Sequence, residues 1–434
     1  MLRHSPLFCA TAQYNGTDIA AYCNATGLNR VNGVTMERIR RHYIVAGMVI
    51  GLLGACIGSG AVAGPREQAK QLHDRLTGTP AAEPLLTELA DLIDQNMARD
   101  AALLAMQQDA FYDVTLKNFV MPWTNEEQNV FAPLNDYVAT VIGLVRDNID
   151  FREVLSADLV YVGDSTALSN DGYSIPAVSA SSNAHYEALE SQRVPLQDYL
   201  VPRQQSTLYG IPSDATAGVM TSRAGAMAYF VAGTNRAMLR FTLMHHLCRD
   251  MEQLHDISRP ADRIRQDVTR SPGGDSRVFL NNCVGCHNGM DPMAQAFAYY
   301  NWTGEEGTGA GQIEYTEGNV QPKYLINANN FPFGFVTPDD RWDNYWRSGP
   351  HSGLGWSESL PGGGNGAKSL GEELANSEAF ATCQAEKTFR AVCLRGATSA
   401  ADVSQIETMS SNFRGNGYQL KELFADAAIY CMGE

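Results

Sequence analysis

Asn281-Asn282-Cys283-Val284-Gly285-Cys286-His287-Asn288 sets two cysteines three residues apart, with a histidine directly after the second. That spacing is the attachment signature of a c-type haem. Each thiol would form a thioether to a vinyl-derived carbon on one edge of the porphyrin, and the histidine that follows is delivered to the iron as proximal ligand. Other uses of the pattern demand more sequence than is present. A four-ligand zinc site needs a second Cys/His pair at usable spacing, and none follows. A thioredoxin-like dithiol sits between a strand and a long helix. A disulfide between Cys283 and Cys286 is the plain alternative. The expectation is therefore one covalently attached haem c on Cys283 and Cys286, with His287 as proximal ligand. The second ring nitrogen of His287 should donate to a carbonyl or carboxylate that fixes its tautomer.

The opposite iron face is less determined by the chain. His351, in Gly349-Pro350-His351-Ser352-Gly353, is the only histidine after His287 and is expected as a distal iron ligand. Met409 or Met432, Met290 or Met293, an upstream side chain and an open face are the alternatives. A reach around the macrocycle from Met290 or Met293 is awkward, because the chain has just placed His287 on the near side. A six-coordinate iron argues for electron transfer, and an open face would permit peroxide or small-ligand chemistry.

Covalent haem belongs outside the cytoplasm, and the amino-terminal region carries an export signal. Arg38, Arg40, Arg41 and His42 precede an apolar run from Tyr43 to Ile57, followed by Ala61-Val62-Ala63. These are the basic, apolar and cleavage-site parts of a signal peptide over 36–63. Met36 is then the expected start, with residues 1–35 an upstream over-extension. Leu53-Gly54-Ala55-Cys56 also resembles a lipobox, so the product is expected to be periplasmic, either soluble or lipid-anchored through Cys56. The chain has 32 basic and 48 acidic side chains, a net charge of −16. Beyond residue 63 no basic tract interrupts this, which speaks against nucleic acid and is compatible with a basic redox partner protein. Beyond Cys283 and Cys286, the expected mature chain holds Cys248, Cys383, Cys393 and Cys431, an even number that suits an oxidising compartment. Cys383 and Cys393 fall in one predicted helix. Ten helical residues span about 15 Å, so each should pair with Cys248 or Cys431 rather than with the other.

The periodicity predicts a mainly α, multi-helical fold. Helices are expected at Arg66 to Leu76, Glu83 to Arg99 and Asp100 to Phe111, the last two continuous if nothing breaks them. Thr124, three before Glu127, reads as a capping box opening a helix through Leu134 and Val145. Phe151 to Val162 predicts a short helix and an extended stretch. Asn235 is the expected cap of a helix from Arg236 to Met251, on which His245 and His246 read as packing or surface histidines. Ser271 to Ser276 is a turn before the CxxCH segment. Helices return at Gly371 to Arg395, Asp402 to Phe413 and Gln419 to Tyr430. These elements suggest an amino-terminal helical domain over 64–165, a loop-rich linker over 166–208 and a cytochrome c-like haem-binding domain over 209–434. The last carries an aromatic-rich loop insertion at 301–367.

Cys283-Val284-Gly285-Cys286-His287, then Met290-Asp291-Pro292 and Ala298-Tyr299-Tyr300, resembles the carboxy-terminal part of large periplasmic cytochrome c-like proteins abundant in planctomycetes and related bacteria. There a CxxCH precedes an Asp-Pro stretch ending near an aromatic. Leu76-Thr77-Gly78-Thr79-Pro80, Phe151 to Val162 and Gly371 to Tyr430 are similar to that family's other elements. The chain departs from it at Ala294, where the family has glycine, and in the length of 301–367. The resemblance implies periplasmic haem c and supplies no substrate. Single-electron transfer by a mono-haem cytochrome is the expected activity. The alternatives are a peroxidase-like enzyme with an open distal site, and a cell-envelope binding or scaffold protein with structural haem.

Overall fold

The computed structural model describes residues 63–230, 235–304 and 309–433. Apart from Ala63, the expected export signal, Cys56 and residues 1–35 lie outside the described residues. The fold is mainly helical. Helix α1 (Pro65–Thr77) has proline in its first turn and ends at Gly78, whose φ of 69° only glycine adopts freely. It buries Leu72 and Leu76 against α2 (Glu83–Asp94), whose Leu86, Leu89 and Ile93 form the facing stripe. The continuous helix expected through residue 111 does not form. Asn96 turns left-handed at φ 61°, a conformation asparagine tolerates, and α3 (Ala98–Ala105) starts afresh.

The expected capping box at Thr124 is also corrected. A helix from there would carry Pro133 in its interior, where proline removes a donor and clashes with the preceding turn. Thr124 instead donates to the Met121 carbonyl at 2.9 Å. The helix is capped eleven residues later, at Asn135, and runs as α4 (Asp136–Arg146), with Asn135 Oδ1 accepting from the Val138 amide at 3.1 Å. Asp136 ties this start to α5 (Arg223–Tyr229). Its buried carboxylate accepts from the Tyr209 hydroxyl and from the amides of Arg223 and Ala224, the last at 2.9 Å.

Phe151–Leu155 is a short 3-10 helix, and β1 (Val160–Gly163) follows it as expected. The segment expected as a loop-rich linker over 166–208 is more structured than its composition suggested. It forms helices Ser165–Asn170 and Ala184–Ser191 and a strand, β2 (Leu200–Arg203), antiparallel to β1 with Val160 opposite Arg203. Leu168, Leu189, Leu196 and Leu200 enter the same apolar core as the helices on both sides, and that core runs from Ala69 to Cys431.

Asn235 is not a cap. It sits at φ 58° and its amide donates to the carbonyls of Phe297 and Tyr300, at 2.7 and 2.9 Å. Behind it α6 (Arg236–Thr242) continues into a π-turn, Leu243–Leu247, that buries His245 and His246. Both are packing histidines: the His245 ring stacks on Trp123, and His246 Nε2 lies 3.0 Å from the Tyr137 hydroxyl. The CxxCH segment follows as α7 (Val284–Ala294).

The described residues of 301–367 form loops, short 3-10 helices at Pro322–Leu325, Tyr345–Arg347 and Gly349–Leu354, and two short antiparallel pairs, β3 (Tyr300–Trp302) with β4 (Ile313–Tyr315), and β5 (Arg341–Asp343) with β6 (Gly363–Asn365). The rings of Trp302, Tyr324, Trp342 and Trp346 are buried and pin these loops down. Helices α8 (Gly366–Ala375), α9 (Glu378–Cys393), α10 (Ala400–Gly415) and α11 (Leu420–Cys431) complete the chain. Ser377 caps α9 and splits the helix expected from 371 to 395. Cys383 and Cys393 both lie on α9 and bond outward, to Cys248 and Cys431, with Cα separations of 5.2 and 5.6 Å. No helix among the described residues is long and apolar enough to cross a membrane.

Candidate functional site

Helix α7 presents two faces of different chemistry. At 100° per residue, Cys283, Cys286, His287 and Met290 fall on one side, while Gly285 and Gly289, each two residues from His287, fall on the opposite side. Cys283 and Cys286 are both partly exposed and carry free thiols, whereas the other four described cysteines are in disulfides. The Cys286 sulfur lies 3.4 Å from the Met251 carbonyl, and burial, then the neighbouring Cys283, pushes its thiol up. His287 is one residue further round, and its Nδ1 lies 3.0 Å from Asp291 Oδ1, one turn along the same helix. A carboxylate only accepts, so Nδ1 carries the proton and Nε2 is left with its lone pair. No partner for Nε2 occurs among the described residues.

Asp291 is completely buried and belongs to an ionic cluster. Arg236, from the start of α6, binds it through both oxygens at 2.7 and 3.1 Å. The same guanidinium binds both oxygens of Asp267 at 2.6 and 2.9 Å. Arg265, fully buried, lies against Asp267 and stacks 4.3 Å from the Tyr324 ring centroid. Burial alone would raise the Asp291 carboxyl. Arg236, with His287 and Arg265, outweighs it and holds the group well below the usual carboxylate range.

The other face of α7 is closed. A methyl group on Gly285 would stand 2.3 Å from the His255 ring, and one on Gly289 would stand 2.1 Å from the Trp346 indole. The segment 251–259 clasps this side: the Asp256 amide donates to Gly285 O at 3.0 Å, and Asn288 donates to Arg259 O at 3.0 Å. His351 is held with this back wall, its ring 6.1 Å from Trp346 and perpendicular to it. His351 thus neighbours the ring that packs on Gly289, and no hydrogen bond or ring contact joins it to His287 among the described residues. His255 is also behind the helix, and His73, His185, His245 and His246 are buried among their own partners elsewhere. Met409 is fully buried in α10, and Met293 is fully buried at the carboxyl end of α7.

The donor set suits a thioether-bound porphyrin. It offers two unpaired thiols at one helical turn, an imidazole with its tautomer set from behind, and apolar side chains alongside. Ile264, Val268 and Phe279 form a small cluster against Cys283 and Val284, separate from the main core. Val278 and Leu280, just before the motif, are exposed. Asp291 was legible as a residue of the Met-Asp-Pro stretch, and its spacing of four from His287 signals a shared helix face. Arg236, Asp267 and Trp346 carry no local sequence signal, because they arrive from distant segments. No family model matches the chain, and neither a curated protein nor a solved structure matches it.

Proposed function

We propose that this protein is a periplasmic mono-haem c-type cytochrome that transfers single electrons. The observation that carries the reading is the placement of free Cys283 and Cys286 beside a His287 whose Nδ1 is bound to buried Asp291. A haem held there would supply the reversible one-electron chemistry of its iron. The chain's own residues would do the rest. Cys283 and Cys286 tether one porphyrin edge, and His287 offers Nε2 to the iron. Asp291 keeps the proton on Nδ1, and Arg236 neutralises Asp291 in its dry setting. Ile264, Val268 and Phe279 lower the local dielectric beside the tether. The proposal includes the resemblance to the planctomycete cytochrome-like family, export through the 36–63 signal with a soluble or Cys56-anchored product, and a basic protein as redox partner.

The test is the optical spectrum of the reduced protein expressed in the periplasm, with a pyridine haemochrome assay after acid–acetone extraction. A c-type band retained in the protein fraction is expected, and Cys283→Ser with Cys286→Ser should release it. No retained haem, in cells shown to mature another c-type cytochrome, would overturn the reading and leave the cysteines as a disulfide or redox pair. A second reading, an enzyme with an open distal face, is favoured by one observation: no described histidine besides His287 faces the thiol side of α7. High-spin ferric iron that binds cyanide would select it over the carrier.

A further inference from the structure

The partner of His287 is stronger than its structural task requires. Fixing a tautomer needs one acceptor, and a neutral backbone carbonyl serves that purpose. Here the acceptor is a carboxylate with no solvent exposure, one helical turn from the imidazole and on the same helix. Charge in such a place acts at a low effective dielectric, so its influence on the ring is far larger than at a surface. The order of charges in the cluster matters as well. Asp291 is nearest to the imidazole, Arg236 binds it from behind, and Asp267 lies beyond Arg236, while the Arg265 amide also lies 3.4 Å from Asp291 Oδ2. The first charge the ring meets is negative. Arg236 holds that carboxylate through both oxygens, so it cannot turn away from Nδ1.

We propose that Asp291 is a positioning residue that makes His287 an unusually strong electron donor, and so sets a low reduction potential for the haem. This rests on the haem reading above. An imidazole hydrogen-bonded to a carboxylate gains anionic character, which stabilises ferric over ferrous iron. Asp267 provides an internal control. It is bound to the same Arg236 by two bonds of similar length and is likewise buried, yet it does not touch His287. A merely structural cluster would be disturbed alike by losing either carboxylate.

The experiment is redox potentiometry of the haem-loaded protein, of Asp291→Asn and of Asp267→Asn, with haem retention and thermal stability measured on each. Asp291→Asn is expected to raise the potential by at least 59 mV, a tenfold change in the one-electron equilibrium. Asp267→Asn should lose comparable stability and leave the potential within a third of that shift. An unchanged potential in an Asp291→Asn protein that keeps its haem overturns the inference, as does an equal shift in both variants. If Asp291→Asn does not accumulate, the ferric electron paramagnetic resonance spectrum of the unmutated protein decides. A ligand field typical of an anionic imidazole supports the inference, and one typical of a neutral imidazole overturns it. Absence of haem from the unmutated protein refutes the cytochrome reading itself, a result separate from all of these.

Discussion

Gly285 and Gly289 show how much a missing side chain decides. They let the His255 and Trp346 rings lie on the backbone of α7, and so close the side of the helix away from His287. Gly289→Ala should cost about 1–3 kcal/mol, because its methyl would meet a buried indole with little room to move. Gly353→Ala, where an added methyl meets nothing within 4 Å, should stay within about 0.5 kcal/mol by the same thermal-denaturation measurement. His245 makes a pH prediction. Burial, then the Lys387 charge, pushes it down to about 3. The unfolded chain takes up its proton near pH 6.5 while the folded chain resists, so the unfolded state binds more protons across this window. Stability is complete above pH 6.5 and should fall as pH drops from there toward 3. His245→Phe should flatten that loss in urea titrations run at stepped pH. At this scale the sequence was most informative where spacing acts alone: Cys283, Cys286, His287 and Asp291 share a helix face because three and four residues close one turn. It says least about His351, whose location depends on Trp346 and on the loop that carries both.

Among elements, α9 is held by a disulfide near each end. It takes the Cys248 bridge near its start and the Cys431 bridge at its end, and Lys387 donates to His245 O at 2.6 Å between them. Replacing Cys248 and Cys383 by alanine should cost about 2–5 kcal/mol. The other bridge closes a loop of 38 residues rather than 135, so its loss should cost about 1 kcal/mol less if loop entropy dominates. Urea denaturation of the two double variants measures both. Helix existence was largely legible from apolar periodicity, and the pairing of Cys383 and Cys393 with distant partners followed from the length of one helix. Helix ends were legible only where the deciding group is local. Pro133 forbade the start at Thr124 and was available to be read. Asn235 looked like a cap, but its amide is claimed by the carbonyls of Phe297 and Tyr300 more than 60 residues away.

For the whole molecule, charge and core tell different stories. The surplus of acidic side chains is a property of composition and was readable at once. If the partner is basic, their association rate should fall steeply between low and physiological ionic strength, while the reduction potential changes little; stopped-flow mixing at stepped salt measures this. The shared core was not readable. Ser, Asn and Pro between 166 and 208 suggested a linker, yet Leu168, Leu189 and Leu196 are spaced so that short helices bury them together with residues from both ends of the described chain. Loop composition reports what faces water, and says little of the few apolar residues that do not.

The two bridges on α9 also bear on biosynthesis. Downstream of the expected signal, a chain made from its amino terminus presents Cys248 first, then Cys283 and Cys286, and only about a hundred residues later Cys383, its proper partner. During that interval the nearest thiols to Cys248 along the chain are the two that the site needs free. In an oxidising compartment, premature closure onto Cys283 would both forfeit the α9 bridge and block the CxxCH segment. If the protein matures in such a compartment, Cys283 and Cys286 would have to be captured or kept reduced until α9 has emerged, which would make the timing of thiol chemistry part of its maturation.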